Sequence, residues 1–508
     1  MLSILIFMKQ RRKVAFLVSI IGCAFIIASS AIYININARA VLVNPRLGAP
    51  IYGPVTSGEG SSTTYLDEKM SVWIGTDPAD VPVPQPWLKE SNWQIGLVAS
   101  SIDNANPVNC LVIAALPDRN PFVSYGVDDS SILSQNSVRL DIRIPENIQP
   151  GSYDLHVAYK KDILLINTTI VTGSYQGPVG SGSFNGNGFI LSEPNCVYIP
   201  WINDSLSTDN ISSGSGYYNP FSLIHITDIH FGANESTRLQ LPGSKTYTDA
   251  IRDAISLMAP EVIIATGDLT RDPFSRDSEY KLAYEWFSSL GIPVITSPGN
   301  HDQGNIGLWT YYFGPQTSVI DWGGVKFISF NSVLTINGGT LSMITEEVKK
   351  SSEIGKPVFL NCHVPIMDVF GRQTLGSSAA IVDALVKYNG TGILQGHNHY
   401  NLVMDGKSAL DEYLKLGVLT ETMIEACELT DLDGTPLPPI DGPKLIITST
   451  VGYDGRDRLK LEPEDEPIWP SYIPMTGYRQ ISMVDGHIAN YTYDMDGDGN
   501  RDPSYGHP

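Results

Sequence analysis

Residues 291–302 read Gly-Ile-Pro-Val-Ile-Thr-Ser-Pro-Gly-Asn-His-Asp. An apolar run closing at Ile295 gives way to Pro298-Gly299 and then to the polar cluster Asn300-His301-Asp302. A short apolar run bounded by Gly and Pro reads as a buried strand, so Gly299–Asp302 sits at its tip. Alone, four polar residues after a strand describe a turn. Four other apolar runs end comparably: at Asp228-x-His230, at Gly267-Asp268, at His363, and at Gly396-His397-x-His399. Five of the nine histidines (positions 230, 301, 363, 397 and 399) fall in these five places. A lone histidine is usually a satisfied core or surface group. Five of them just after strand ends, most beside Asp, Asn or Gly, are not explained that way.

Asp228, His230, Asp268, Asn300, His363, His397 and His399 together offer imidazole, carboxylate and amide-oxygen donors. Borderline and hard divalent cations take this ligand mixture, and a pair of them needs one carboxylate able to bridge. The surrounding pattern supplies a scaffold. Strands are expected at Phe221–Thr227, Glu261–Thr266, Gly291–Thr296, Val325–Phe330, Pro357–Asn361, Gly392–Gln395 and Lys444–Ser449. Helical spacing is expected at Thr246–Met258, Ser278–Leu290, Thr345–Ile354 and Ser377–Tyr388. Such alternation means a layered α/β domain with its functional loops on one rim. A hairpin over Tyr478–Tyr493, turning at Asp485-Gly486, closes it, and residues 408–433 look like an insertion.

The preceding residues have another rhythm. Residues 40–173 hold short alternating segments such as Val138–Ile144, divided by Pro, Gly, Asn and Asp, and predict an all-β sandwich of immunoglobulin-like type. Residues 174–220 are a Gly/Ser-rich linker in which Phe189–Pro200 is apolar enough to pack as an extra strand. At the N-terminus, Lys9, Arg11, Arg12 and Lys13 precede the uncharged run Val14–Ile34. Residues 1–36 therefore read as a transmembrane anchor with the bulk of the chain outside the cytoplasm, the alternative being a cleaved signal and secretion.

The net charge of −21 argues against a nucleic-acid partner, which would need basic patches, and favours small substrates. Cys110, Cys196, Cys362 and Cys427 permit disulfides, but their spacing selects no pairing. In the acidic tail (496–508), Asp496, Asp498 and Asp502 join Asp494 in the first half of a calcium-loop pattern, with Tyr505 where a bidentate Glu is expected. That stretch is a candidate calcium site.

The series Ile226-Thr-Asp-Ile-His230, Thr266-Gly-Asp-Leu-Thr270, Pro298-Gly-Asn-His-Asp302, Asn361-Cys-His-Val-Pro365 and Gln395-Gly-His-Asn-His399 resembles the calcineurin-like metallophosphoesterases. The resemblance runs roughly over residues 221–495 and implies a layered α/β/β/α sandwich. It implies one divalent ion (Mn, Fe or Zn) held by Asp228, His230, Asp268 and His399. The second would be held by Asp268, Asn300, His363 and His397, with Asp268 bridging. His301 would face the substrate and Asp302 would orient it. The implied reaction is hydrolysis of small phosphomonoesters or phosphodiesters, on the outer face of a membrane, by metal-activated hydroxide. The related purple acid phosphatases carry a tyrosine three positions after the Gly-Asp aspartate. Here that position is Arg271, so an iron–tyrosinate site is not implied, and Arg271 becomes a candidate contact for a substrate phosphate. Two alternatives remain: a pyrophosphatase or nuclease of the same family, or an inactive surface metal-binding or adhesion protein. A missing ligand would mark the last, and none is missing.

Overall fold

The computed structural model describes residues 39–56, 58–59, 61, 63–77, 83–101, 106–119, 136–160, 188–200, 221–232, 247–271, 276–333, 336–366, 377–399, 402–404, 427–428, 444–448, 477–484 and 487–494. The N-terminal apolar run, most of the 408–433 insertion, and Asp496, Asp498 and Asp502 lie outside these residues. Among the described residues no helix is long and apolar enough to cross a membrane.

Among the described residues, the regular elements of the first part are strands apart from two short 3-10 turns. Strands β1 (Arg39–Asn44), β2 (Ile51–Tyr52), β3 (Tyr65–Asp77), β4 (Trp93–Ala99), β5 (Val108–Arg119), β6 (Asn136–Pro145), β7 (Gly151–Lys160) and β8 (Gly188–Ile199) follow in order. They join in one sheet of order β1-β3-β6-β5-β4-β7-β8-β2. The long β5 carries both halves, pairing with β4 through Val108–Cys110 and with β6 from Leu111 onward. Val72, Ile74, Leu140 and Ile142 from one half share a core with Ile95, Leu97, Leu155 and Val157 from the other. The strands thus form a single hydrogen-bonded sheet around one core, whereas the sequence pointed to two separate sheets. Val138, Leu140, Ile142 and Ile144 are all fully buried, as alternation over this stretch requires. Asp141 breaks the pattern by being buried too, and is held by Lys69 at 2.7 Å and Arg139 at 2.9 Å. Strand β8 lies inside the stretch read as a linker, and its pairing with β7 makes Gly188–Ile199 part of the sheet.

The second part alternates strand and helix. In order come β9 (Phe221–Ile226), α1 (Tyr247–Met258), β10 (Val262–Thr266), α2 (Asp277–Ser288), β11 (Val294–Ser297), α3 (Ile306–Phe313), β12 (Ser318–Trp322) and β13 (Val325–Ser329). There follow α4 (Gly338–Glu353), β14 (Val358–Asn361), α5 (Ser378–Lys387), β15 (Gly392–Gln395), β16 (Leu402–Met404), β17 (Cys427–Glu428), β18 (Lys444–Ile447), β19 (Tyr478–Val484) and β20 (His487–Asp494). One sheet has the order β11-β10-β9-β19-β20 and the other β12-β13-β14-β15-β18-β16-β17.

Burial explains why Val262–Ala265 of β10 is apolar without interruption. Ile263 and Ala265 of β10 face a core shared with Ile251, Ile255, Tyr284 and Phe287 of α1 and α2. Val262 and Ile264, pointing the other way, join Phe327, Phe359, Leu394 and Ile446 of the second sheet. Side chains alternate across a strand, so a strand covered on both faces has no polar position to spare. Strands β9, β10 and β11 are mutually parallel, as are β13, β14, β15 and β18, which brings their C-terminal ends to a common rim.

Three local readings are corrected. The helix expected to start at Thr345 begins at Gly338, where the Asn337 side chain accepts from the Thr340 amide at 2.8 Å. The glycine pair 338–339 occupies the first turn, where capping outweighs propensity. Helix α3 and strand β12 were not anticipated, because Ile-Gly-Leu-Trp-Thr-Tyr-Tyr-Phe is too uniformly apolar to show a helical stripe. Cys110, Cys196 and Cys362 are buried free thiols, so none of the three forms a disulfide.

Candidate metal centre

Five loops at the C-terminal ends of β9, β10, β11, β14 and β15 meet at one point of the rim. They bring together Asp228 with His230, Asp268, Asn300 with His301 and Asp302, His363, and His397 with His399. The groups Asp228–His230–His399, His230–Asp268–His301 and Asp268–His363–His397 each place their donor atoms within 4.8 Å of one another.

Sharp turns make this convergence possible. Among the described residues, eight non-glycine residues have positive φ, and five are Asp228, His230, Asp268, His397 and His399. Left-handed backbone costs a side-chain-bearing residue about 1–3 kcal/mol and persists only where the surroundings impose it. Gly267 adopts φ +85°, and a Cβ there would meet the Gly299 amide nitrogen at 2.6 Å. Gly299 in turn lies so close to Asp268 that a Cβ would collide with its amide and carboxylate. The two loops touch through bare backbone because no side chain fits between them.

The donor set fits divalent cations. Asp228 and Asp268 are almost fully buried, and burying a carboxylate is costly unless it is paired or binds a metal. The Nδ1 of His363 donates to the Thr266 carbonyl at 2.7 Å, which directs Nε2 inward. That Nε2 faces the Asp268 carboxylate at 3.2 Å and the Asn300 amide oxygen at 3.1 Å. Elsewhere His399 Nε2 lies 3.0 Å from Asp228 Oδ1 and 3.4 Å from His230 Nε2, and His397 Nδ1 lies 2.8 Å from Asn300 Oδ1. Lone-pair atoms about 3.0–3.4 Å apart have the edge length of a shell around an ion bound at about 2.1 Å. A backbone carbonyl behind a ligating imidazole is the usual way such a ring is oriented.

The titration behaviour agrees with the geometry. Burial works against the charge of Asp228, yet His399 and His363 hold its carboxyl well below the usual range. Asp268 is likewise depressed despite burial, chiefly by His363. Burial would pull His363 down, but the Asp268 and Asp228 charges outweigh it and lift the ring to about 9. His230 and His397 are pushed down by burial to about 3 and about 4, the neutral form that ligates a metal.

One expected role changes. Asp302 does not stand behind His301. Its carboxylate accepts from the amides of Gly299 at 2.9 Å, Thr270 at 3.0 Å and Leu269 at 3.3 Å, and from the Thr270 hydroxyl at 2.8 Å. It is a buried staple between two loops, its pKa raised to about 6 by burial and then by the Asp268 charge. The Nδ1 of His301 instead donates to the backbone carbonyl of Arg271. The Arg271 amide in turn donates to the Phe231 carbonyl at 3.0 Å. The His301 side chain remains 20% exposed, against 0–3% for Asp228, His230, Asp268, His363 and His399. Of the histidines of the centre, His301 and His397 are partly exposed, and His230, His363 and His399 are buried. Sequence reasoning missed Thr270 and the carbonyls of Thr266 and Arg271. Carbonyls carry no residue signature, while the threonine sits inside the quoted Gly-Asp motif and was legible there.

Five loops bearing carboxylates and imidazoles at one rim of a two-sheet α/β domain form a cluster whose donor groups could hold metal ions. Residues 221–401 match the family model for the calcineurin-like phosphoesterases, and this part of the chain is a domain of that family. The chain is a metal-dependent phosphoric ester hydrolase. It is 27% identical over 200 residues to a 3′,5′-cyclic-nucleotide phosphodiesterase of Nostoc sp., covering 35% of this chain and 72% of that one. Among solved structures it is similar to a purple acid phosphatase of yellow lupin, with TM-score 0.44 and 12% identity over 84% of this chain and 72% of that one. A dimetal phosphatase of Danio rerio is similar with TM-score 0.33 and 12% identity, over 54% of this chain and all of that one.

Proposed function

We propose that the centre binds two divalent ions and hydrolyses small phosphodiesters, cyclic nucleotides among them, and the corresponding phosphomonoesters. The observation that carries this reading is the pair of donor groups, Asp228–His230–His399 and Asp268–His363–His397, with Asn300 close to the second. Asp268, lying 3.9 Å from His230 and 3.2 Å from His363, is the carboxylate placed to serve both ions. Bound there, two divalent ions supply Lewis-acid stabilisation of phosphoryl charge and an acidified water. The chain's own contribution beyond ligation is His301. Its Nδ1 is committed to the Arg271 carbonyl, so Nε2 is the atom that meets substrate and passes a proton to the departing oxygen. The side chain of Arg271, on the loop that fixes His301, is a candidate phosphate contact. The diester preference draws on the name of the Nostoc relative.

The test is a panel of p-nitrophenyl phosphate, bis-p-nitrophenyl phosphate and 3′,5′-cyclic nucleotides, assayed with Mn²⁺ and again after chelation. Metal-dependent turnover, faster on diesters, is expected. Turnover that survives chelation, or none on any of these substrates, sinks the proposal; the second result would favour the binding or adhesion reading.

The basic flank and 21-residue uncharged run at positions 14–34 support a membrane-anchored protein with its catalytic part outside the cytoplasm. Within that reading the N-terminal eight-stranded sheet is a spacer, residues 221–495 are the catalytic domain, and Asp494, Asp496, Asp498 and Asp502 belong to a calcium-binding segment. Protease protection of the catalytic domain in intact cells would overturn the orientation.

A further inference from the structure

The segment between β1 and β2 leaves its own sheet and enters the cores of the catalytic part. Arg46 and Ala49 close a tight turn, their amides and carbonyls exchanging hydrogen bonds of 3.1 and 2.9 Å. Leu47, fully buried, joins the helix-side core with Trp309 and Phe313, and Ala49 joins the core between the sheets. Within the turn the Gly48 amide donates to the Phe313 carbonyl and the Gly48 carbonyl accepts from Thr296, both at 3.0 Å.

The Arg46 side chain is 2% exposed. Its Nε pairs with Glu193 of β8 at 3.1 Å, Nη1 donates to the Thr310 carbonyl at 3.2 Å and the Leu42 carbonyl at 3.4 Å, and Nη2 donates to the Tyr311 carbonyl. Glu193 also accepts from the Leu47 amide at 2.8 Å. Helix α3 therefore ends on a guanidinium, where its dipole favours a cation; the Thr310 carbonyl also accepts from the Gly314 amide at 3.2 Å. A planar fork serves these diverging acceptors at once, which a lysine does not.

Position gives the contact its meaning. Asn300 and His301 sit between β11 and α3, and the 46–49 turn grips both: β11 at Thr296 and α3 at Thr310, Tyr311 and Phe313. We propose that Arg46 is a positioning residue for Asn300 and His301, so that the N-terminal sheet sets the geometry of half the metal centre. This rests on the metal-hydrolase reading above. A second contact between the same two parts of the chain serves as its internal control. Asn195 Nδ2 donates to the Phe287 and Ser288 carbonyls at 3.3 and 3.0 Å, at the end of α2, which leads to the opposite end of β11.

The experiment compares the full chain with Arg46→Lys, Arg46→Gln and Asn195→Gly, the last keeping the positive φ that Asn195 adopts. Folding is checked by circular dichroism, Mn²⁺ affinity by titration and kcat and KM on bis-p-nitrophenyl phosphate. The Arg46 variants are expected to lower kcat about tenfold to a hundredfold, the scale of a small misplacement of a reacting group, with KM little changed. They are also expected to weaken one of two Mn²⁺ ions about tenfold, while Asn195→Gly leaves both readouts unchanged. Arg46→Lys carries the comparison if Arg46→Gln fails to fold. Wild-type kcat and two ions of wild-type affinity in Arg46→Lys overturn the proposal, as do equal losses in Asn195→Gly. A wild type that binds two ions without hydrolysis sinks the function, while the metal titration still decides the role of Arg46.

Discussion

The imidazole of His301 is held through Nδ1 by the main-chain carbonyl of Arg271, while its neighbour Asp302 turns its carboxylate to the amides of Gly299, Leu269 and Thr270. Adjacent residues thus face opposite ways, one toward solvent and the metal donors, the other into the body of two loops. A carbonyl orients an imidazole without charging it. Asp302 is therefore not the group that orients His301.

Replacing His301 separates chemistry from metal binding. His301→Ala is expected to lower kcat by about 10²–10⁴, the usual contribution of a positioned acid, with both ions retained. His301→Gln, which keeps a hydrogen-bonding end, should recover little of this because it cannot transfer a proton. Parallel measurement of turnover and bound Mn²⁺ checks it. Loss of an ion in either variant would make His301 a ligand instead.

Asp302→Asn tests the staple. The carboxylate accepts from four donors, and an amide turns one of its two ends into a donor facing them. A cost of about 1–3 kcal/mol is expected for the buried groups left unmatched, read as a lower urea midpoint. The wild-type acid also has a pH signature in the metal-free protein. Its pKa rises from 3.8 to about 6 on folding, so stability present below pH 4 is lost as pH climbs to 6. The asparagine variant should lack that slope. An identical slope in both proteins would clear Asp302 of the effect.

Strand ends and ligand residues were legible because apolar runs and polar punctuation are one-dimensional signals. Val262–Thr266 is buried on both faces, and the next residues, Gly267-Asp268, announce the turn. Asp302 was misread for the opposite reason. Adjacency to His301 suggested partnership, while the actual partners, Leu269 and Thr270, lie more than thirty positions away. The bridging of the eight-stranded sheet by β5 and the seating of Leu47 among helix residues are likewise contacts between distant segments. No local pattern encodes them.

Removing the metals should expose the histidine–carboxylate pair. In the metal-free protein the His363 pKa rises from 6.5 to about 9, a preference of about 1.36 kcal/mol per unit for the charged ring once folded. This raises stability fully below pH 6.5, and the gain of about 3 kcal/mol is lost as pH rises through 9. Ions bound to the same atoms keep the ring neutral, so the loaded protein should lack this loss. Urea midpoints of chelated and Mn²⁺-loaded protein at pH 6 and pH 9 measure it. A chelated midpoint that does not move between the two would show that His363 and Asp268 do not pair without metal.

Gly299→Ala probes how tightly the two central loops are pressed together. A methyl group at this position would strike the Asp268 amide and carboxylate, and neither can move freely. The amide belongs to backbone already at positive φ, and the carboxylate accepts from the His301 amide at 2.8 Å. The strain must therefore open the gap between the β10 and β11 loops, at a cost of about 1–3 kcal/mol as for other overpacked sites. Because Asp268 sits between the two donor groups, opening that gap should weaken both ions, not one. Mn²⁺ titration of the alanine variant should show both dissociation constants raised, with folding retained. A variant that loses stability but keeps both affinities would mean that Asp268 reaches the ions without the support of Gly299.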